Sequence, residues 1–89
     1  FLKKNGLNAQ KLNLKFASLQ QSDNCTEGEI GCISGLFAQC ISGQWQTNAC
    51  SAGTSCFALP LVNGAGTSTV CDSQTDALAR IQATGVSGG

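Results

Sequence analysis

The period of the apolar positions changes twice along the chain. Within residues 9–20 they recur at helical steps, as Ala9, Leu12, Phe16 and Leu19, with Asn8 just after Gly6 placed to cap, so this stretch predicts a helix. A second period competes with it, because Leu12, Leu14 and Phe16 also alternate with Asn13 and Lys15. The Ala, Gln, Lys and Leu content favours helix over strand. From Asp23 to Cys71 helical spacing is gone, and short apolar runs are separated by turn chemistry. Ser42-Gly43 divides residues 36–41 from 44–47, and Asn63-Gly64-Ala65-Gly66 divides 57–62 from 67–71. Each pattern reads as a β-hairpin, with Ser34-Gly35 as a third turn. Pro60 cannot donate to a strand ladder, which sends its strand to a sheet edge or a bulge. Beyond Asp72 the helical period returns. Ser73-Gln74-Thr75-Asp76 is a capping box ahead of a narrow stripe of Ala77, Leu78 and Ile81, which should cover one side of the centre. Gly85 supplies the stop, and Ser87, Gly88 and Gly89 are expected to fray.

The chain therefore divides into a helical arm (1–22), a cysteine-rich centre (23–71), and a C-terminal helix with its tail (72–89). A chain of 89 residues buries only about 60–65% of the surface its unfolded form exposes, so something besides a core must hold it. Cys25, Cys32, Cys40, Cys50, Cys56 and Cys71 supply the means: three disulfides, formed in an oxidising compartment. At about 2–4 kcal/mol each they contribute on the order of 6–12 kcal/mol. Six cysteines allow 15 pairings. Cys50 with Cys56 closes easily across residues 51–55, but spacing alone selects none. The fold class that follows is a small disulfide-rich domain with a short twisted antiparallel β-sheet core, an N-terminal helix and a C-terminal helix.

Composition removes much chemistry. There is no His, and no Cys-x2-Cys pair, so His-dependent triads and the common zinc sites are excluded and no cofactor or metal is expected. Glu27 and Glu29 could pair as glycosidase acids by type, but they stand two residues apart with too little chain to build a cleft, which argues against an enzyme. Five basic and five acidic side chains give zero net charge, so nothing steers the whole chain to nucleic acid or a membrane. The distribution is uneven: Lys3, Lys4, Lys11 and Lys15 fall in residues 1–22 with no acid among them, and read as a solvated helix face. No run of 18 apolar residues is present. The sequon Asn24-Cys25-Thr26 fits a secretory route, on which a chain opening at Phe1 is expected to be the trimmed form.

Trp45 is where packing and function compete. A two-residue turn at Ser42-Gly43 sets Cys40 opposite Trp45, on the face that a disulfide usually turns inward. Phe37, Gln39, Ile41, Gln44 and Gln46 then line the other face. A three-residue loop would exchange the faces and expose the indole. Aromatic rings stack on the C–H faces of sugars while amides bond the hydroxyls, so Phe37 and Trp45 among Gln39, Gln44, Gln46 and Asn48 suit a neutral polysaccharide.

The pattern Phe37-Ala38-x-Cys40-x-x-Gly43-x-Trp45-x4-Cys50-x-x-Gly53-Thr54-x-Cys56, preceded by Cys25-x-x-Gly28-x3-Cys32, resembles the fungal chitin-binding modules of carbohydrate-binding module family 19. The resemblance covers roughly half the chain. It implies a secreted, extracellular or wall-associated fungal protein that binds chitin or a related wall glucan without catalysis. Carried over by position, it makes Trp45 and Phe37 contact aromatics, with Gln44, Gln46 and Asn48 as hydrogen-bonding neighbours, and it requires an exposed Trp45. Ala49 departs from the Pro often found there in the family, and the 57–70 hairpin, the arm and the tail look like additions. The alternative is a secreted, effector-like cysteine-rich scaffold whose apolar segment 57–62, or whose arm, contacts a protein partner or a second copy.

Overall fold

A computed structural model describes residues 1–87, in the order α1 (Leu2–Ala17), β1 (Ile30–Ile33), β2 (Leu36–Ile41), β3 (Gln44–Asn48), β4 (Ser55–Pro60), β5 (Thr67–Asp72) and α2 (Gln74–Gln82). The disulfide-rich, antiparallel, two-helix fold is the one the sequence predicts, with the strands divided between a three-stranded sheet, β1-β2-β3, and a two-stranded sheet, β4-β5. All three turns fall where the glycines place them. Ile33 pairs with Leu36 across Ser34-Gly35, Ile41 with Gln44 across Ser42-Gly43, and Pro60 with Thr67 at the mouth of the loop holding Asn63-Gly64. Pro60 ends β4, and in a two-stranded sheet each strand is an edge, so its missing donor breaks no ladder.

The disulfides are Cys25–Cys40, Cys32–Cys56 and Cys50–Cys71. The easy Cys50–Cys56 link does not form. Residues 51–54 close their own turn, with Thr54 N donating to the Ser51 carbonyl at 3.0 Å, and the Cys56 N–H then donates to the Gly35 carbonyl at 2.9 Å. That bond sets the start of β4 beside the β1–β2 turn, where Cys32 lies. Cys32–Cys56 thus joins the two sheets, and Cys50 closes on the far strand.

Helix α1 begins at Leu2, seven residues before the position its apolar period suggests. Its buried stripe explains why: Asn5, Gly6, Ala9 and Phe16 are buried and Leu12 and Asn13 half-buried, so the face that packs is partly polar and the apolar period misses its first turns. Asn13 Nδ2 donates to the Ala58 carbonyl at 3.0 Å and its Oδ1 accepts from the Ala58 N–H at 2.8 Å, so the side chain stands in for a neighbouring strand along the free edge of β4. Asn5 does the same for the β4–β5 loop. It donates to the carbonyls of Leu61 (3.0 Å) and Gly64 (2.8 Å) and accepts from the Gly66 N–H (2.8 Å).

Helix α2 starts as its capping box requires, with Ser73 Oγ accepting from the Asp76 N–H at 3.1 Å. Ala77 and Ile81 pack with Ala9, Leu59 and Val86 in one core cluster, whereas Leu78 remains 38% exposed, so only part of the expected stripe is buried. Ser87 is exposed and outside any regular element, and its carbonyl accepts from Gln10 Nε2 at 2.6 Å. Gly88 and Gly89 lie outside the described residues.

From the last turn of α2, Arg80 reaches back toward the amino end, where its Nε lies 3.0 Å from Asp76 Oδ2 and 3.8 Å from Asp72 Oδ2. The neighbouring Asp76 carboxyl, followed by loss of water, raises the Asp72 carboxyl above its ordinary range against the opposing pull of the Ser73 N–H and Arg80. An acid raised on folding stabilises most when protonated: its contribution is complete below the unfolded value near ~3.9 and is lost as pH rises through the folded one. Asp72→Asn keeps an acceptor for Ser73. A small rise in urea midpoint is therefore expected at neutral pH, shrinking to nothing as both proteins are titrated below about pH 3.9.

Candidate functional site

Strand pairing fixes which side chains share a face. Cys40 opposes Trp45 and Ala38 opposes Thr47, while Ile41 opposes Gln44, Gln39 opposes Gln46 and Phe37 opposes Asn48. One face of the three-stranded sheet therefore carries Gly31, Ile33, Leu36, Ala38, Cys40, Trp45 and Thr47, and the other Ile30, Cys32, Phe37, Gln39, Ile41, Gln44, Gln46 and Asn48.

The first face is closed. Trp45 is 2% exposed and clusters with Ile33, Ala38 and Cys40, against which Leu19 and Cys25 pack. Gly31 makes the room: a Cβ there would lie 3.3 Å from the Trp45 ring, 3.3 Å from Phe16 and 3.2 Å from Leu19. The end of α1 and the turn after it thus settle over a glycine hollow with the indole beneath. The indole N–H is buried with no acceptor among the described residues. This corrects the exposed stacking platform expected of Trp45: the two-residue turn holds, the indole stays beside the Cys25–Cys40 bridge, and the arm covers it. No sugar ring can lie on it.

The second face is uncharged; it is covered at its Cys32 end, where Cys32 is buried and bridged to Cys56, and open over the rest. Gln44, Gln46 and Asn48 are exposed, Phe37 and Gln39 half-buried, and Ile41 is 48% and Ile30 39% exposed. Three cross-strand rows, Phe37–Asn48, Gln39–Gln46 and Ile41–Gln44, cover about 14 Å along the strands at two residues per step. Four of the five site residues taken from the sequence thus share this face, and Trp45 is on the other. Phe37 stands beside its cross-strand partner Cys32 on this face and packs on the cluster of Cys32 and Cys56, with Cys50 alongside, so its ring is fixed and half-buried at the covered end of the face.

Beside Gln44 the face runs into a polar hollow of about 290 Å³ lined by Gln21, Ser22, Asp23, Asn24, Gly43, Gln44 and Trp45. Sequence reasoning missed its first four residues as site candidates, although a run of polar side chains directly before Cys25 was the available signal. Glu27 and Glu29 form no acid pair. The Glu27 carboxylate accepts from the Ser42 N–H at 2.5 Å and the Glu29 carboxylate from the Thr26 N–H at 3.0 Å, so each closes a turn. Among the described residues no cluster of three metal-ligating side chains occurs, and no helix is long and apolar enough to cross a membrane. Three disulfides are typical of extracellular proteins.

The chain matches no protein-family model, no curated protein and no solved structure.

Proposed function

We propose that this is a secreted, non-catalytic carbohydrate-binding protein that takes a neutral wall polysaccharide, chitin or a related glucan, on the open face of its three-stranded sheet. The observation that carries the reading is the exposed ladder of Gln44, Gln46 and Asn48 beside Ile41 and the half-buried Gln39 and Phe37, a surface with amides, one fixed aromatic ring at its covered end and no charge. Amides donate and accept at once, which matches sugar hydroxyls, and the apolar rows supply contact for the C–H faces between them. Trp45 acts here as core. Its part is to anchor the sheet against the arm.

The alternative, an apolar contact surface at 57–62, has less to stand on. Ala58, Leu59 and Pro60 are buried and Phe57 is half-buried against the core, leaving Val62, at 73%, as the segment's one strongly exposed side chain. The apolar side of the arm is spent on β4 in the same way.

The test is retention of the oxidised protein on insoluble chitin, cellulose and β-glucan. Selective retention is expected, reduced about tenfold by Gln44→Ala with Gln46→Ala, which remove two hydrogen-bonding side chains at about 0.5–1.5 kcal/mol each. Phe37→Leu should weaken binding while leaving the fold intact. A folded wild-type protein that passes through all three polymers would overturn the proposal, and so would full retention of the double variant.

A further inference from the structure

The outward face of α1 has no role in the fold. Lys3, Leu7, Lys11, Leu14 and Ser18 follow at three- and four-residue steps and so stand in one row, flanked by Lys4 and Lys15. All seven are exposed, Leu14 at 75% and Leu7 at 44%. At the amino end of the helix, the loop that Asn5 holds presents Val62, also strongly exposed.

Zero net charge hides how the charges are separated. Residues 1–22 carry four lysines and no acid, and each of the five acids is engaged elsewhere. Asp23 accepts from the Gln20 N–H at 2.9 Å, Glu27 and Glu29 close the turns already described, and Asp72 and Asp76 share Arg80. The ion pairs among the described residues involve Arg80 alone, so nothing there neutralises the lysines of α1.

We propose that this face docks on an anionic phospholipid bilayer, with the lysines at headgroup level and Leu7 and Leu14 entering the interface. Charge complementarity requires an anionic partner, and the two leucines set among the lysines distinguish a bilayer from a soluble polyanion, which would gain nothing from them. Nucleic acid fits less well, since the row holds no arginine and no aromatic ring for stacking. The surface is separate from the amide face, because Phe16 and Leu19 bring the carboxyl end of α1 against the opposite side of the sheet.

The experiment is co-sedimentation of the oxidised protein with phosphatidylserine–phosphatidylcholine vesicles and with pure phosphatidylcholine vesicles. Binding to the first alone, weakened by added salt, is expected. Lys11→Gln with Lys15→Gln should lower the partition coefficient about 25-fold, at roughly fivefold per lysine near an anionic surface. Leu7→Ser with Leu14→Ser should lower it by about tenfold or more. All four side chains are exposed, so near-UV circular dichroism should be unchanged in every variant. Absence of sedimentation, equal binding to neutral vesicles, or a leucine variant that binds as well as wild type would each overturn the proposal.

Discussion

Gly6→Ala is expected to destabilise the protein by about 2–3 kcal/mol, although alanine is worth about 1 kcal/mol more than glycine inside a helix. The intrinsic gain is outweighed by where the new methyl would go. A Cβ on Gly6 would collide with Thr84 Oγ1 and lie 3.0 Å from Thr84 Cβ and 3.1 Å from a Val86 methyl. Thr84 has little freedom to move aside, since it is buried and its hydroxyl donates to the Ile81 carbonyl at 2.5 Å. Relief requires α1 to lift from the end of α2, which loosens the cluster of Ala9, Leu59, Ala77, Ile81 and Val86. Urea unfolding of a double-mutant cycle with Thr84→Ala checks the cause. The Gly6→Ala penalty should fall by more than about 1 kcal/mol when the hydroxyl is absent. An unchanged penalty would place the strain elsewhere.

Asn5→Ala should cost about 3 kcal/mol, more than most apolar truncations in so small a core. Asn5 is 2% exposed, and its amide meets three backbone groups of the β4–β5 loop. Removing it strands the Gly66 N–H and the carbonyls of Leu61 and Gly64, and each buried group left without a partner costs about 1–3 kcal/mol, less what water recovers. Asn13→Ala, which frees only the two backbone groups of Ala58, should cost about half as much. Amide exchange separates the cases: the Gly66 amide should lose protection in the first variant and the Ala58 amide in the second. Asn5→Asp is the harsher test of the same contact, because a carboxylate there would face two carbonyl oxygens.

These residues also show what the sequence could and could not reveal. The hairpins were legible because their signals are local. Ser42 has φ +56° and Gly43 φ +75°, the left-handed pair that a two-residue turn demands, and this fixed the register that sets Cys40 opposite Trp45. The capping box at Ser73 was legible for the same reason. The first two turns of α1 were not, since Asn5, Gly6 and Asn8 are poor helix formers; tertiary bonds to a loop some sixty residues away hold them helical. The face of Trp45 was readable, but its cover was not. Only the landing of Phe16 and Leu19 on Gly31 closes that side, and a lone glycine inside a strand was the faint sign that something large approaches there. The disulfide pairing likewise waited on the bond between Cys56 and Gly35, which joins two sheets the sequence had read as one.

No cysteine lies in either helix. The bridges tether only residues 25–71, and both helices are held by the shape of what is tethered: Asn5 and Asn13 grip the backbone of one hairpin, and Ile81 rests on Leu59 of the same strand. A reductant that acts on sulfur atoms alone would therefore remove the template on which the helices form, and short helices without a packed face are marginal in water. Helix content in this protein is an indirect gauge of the redox state of bridges that no helix contains.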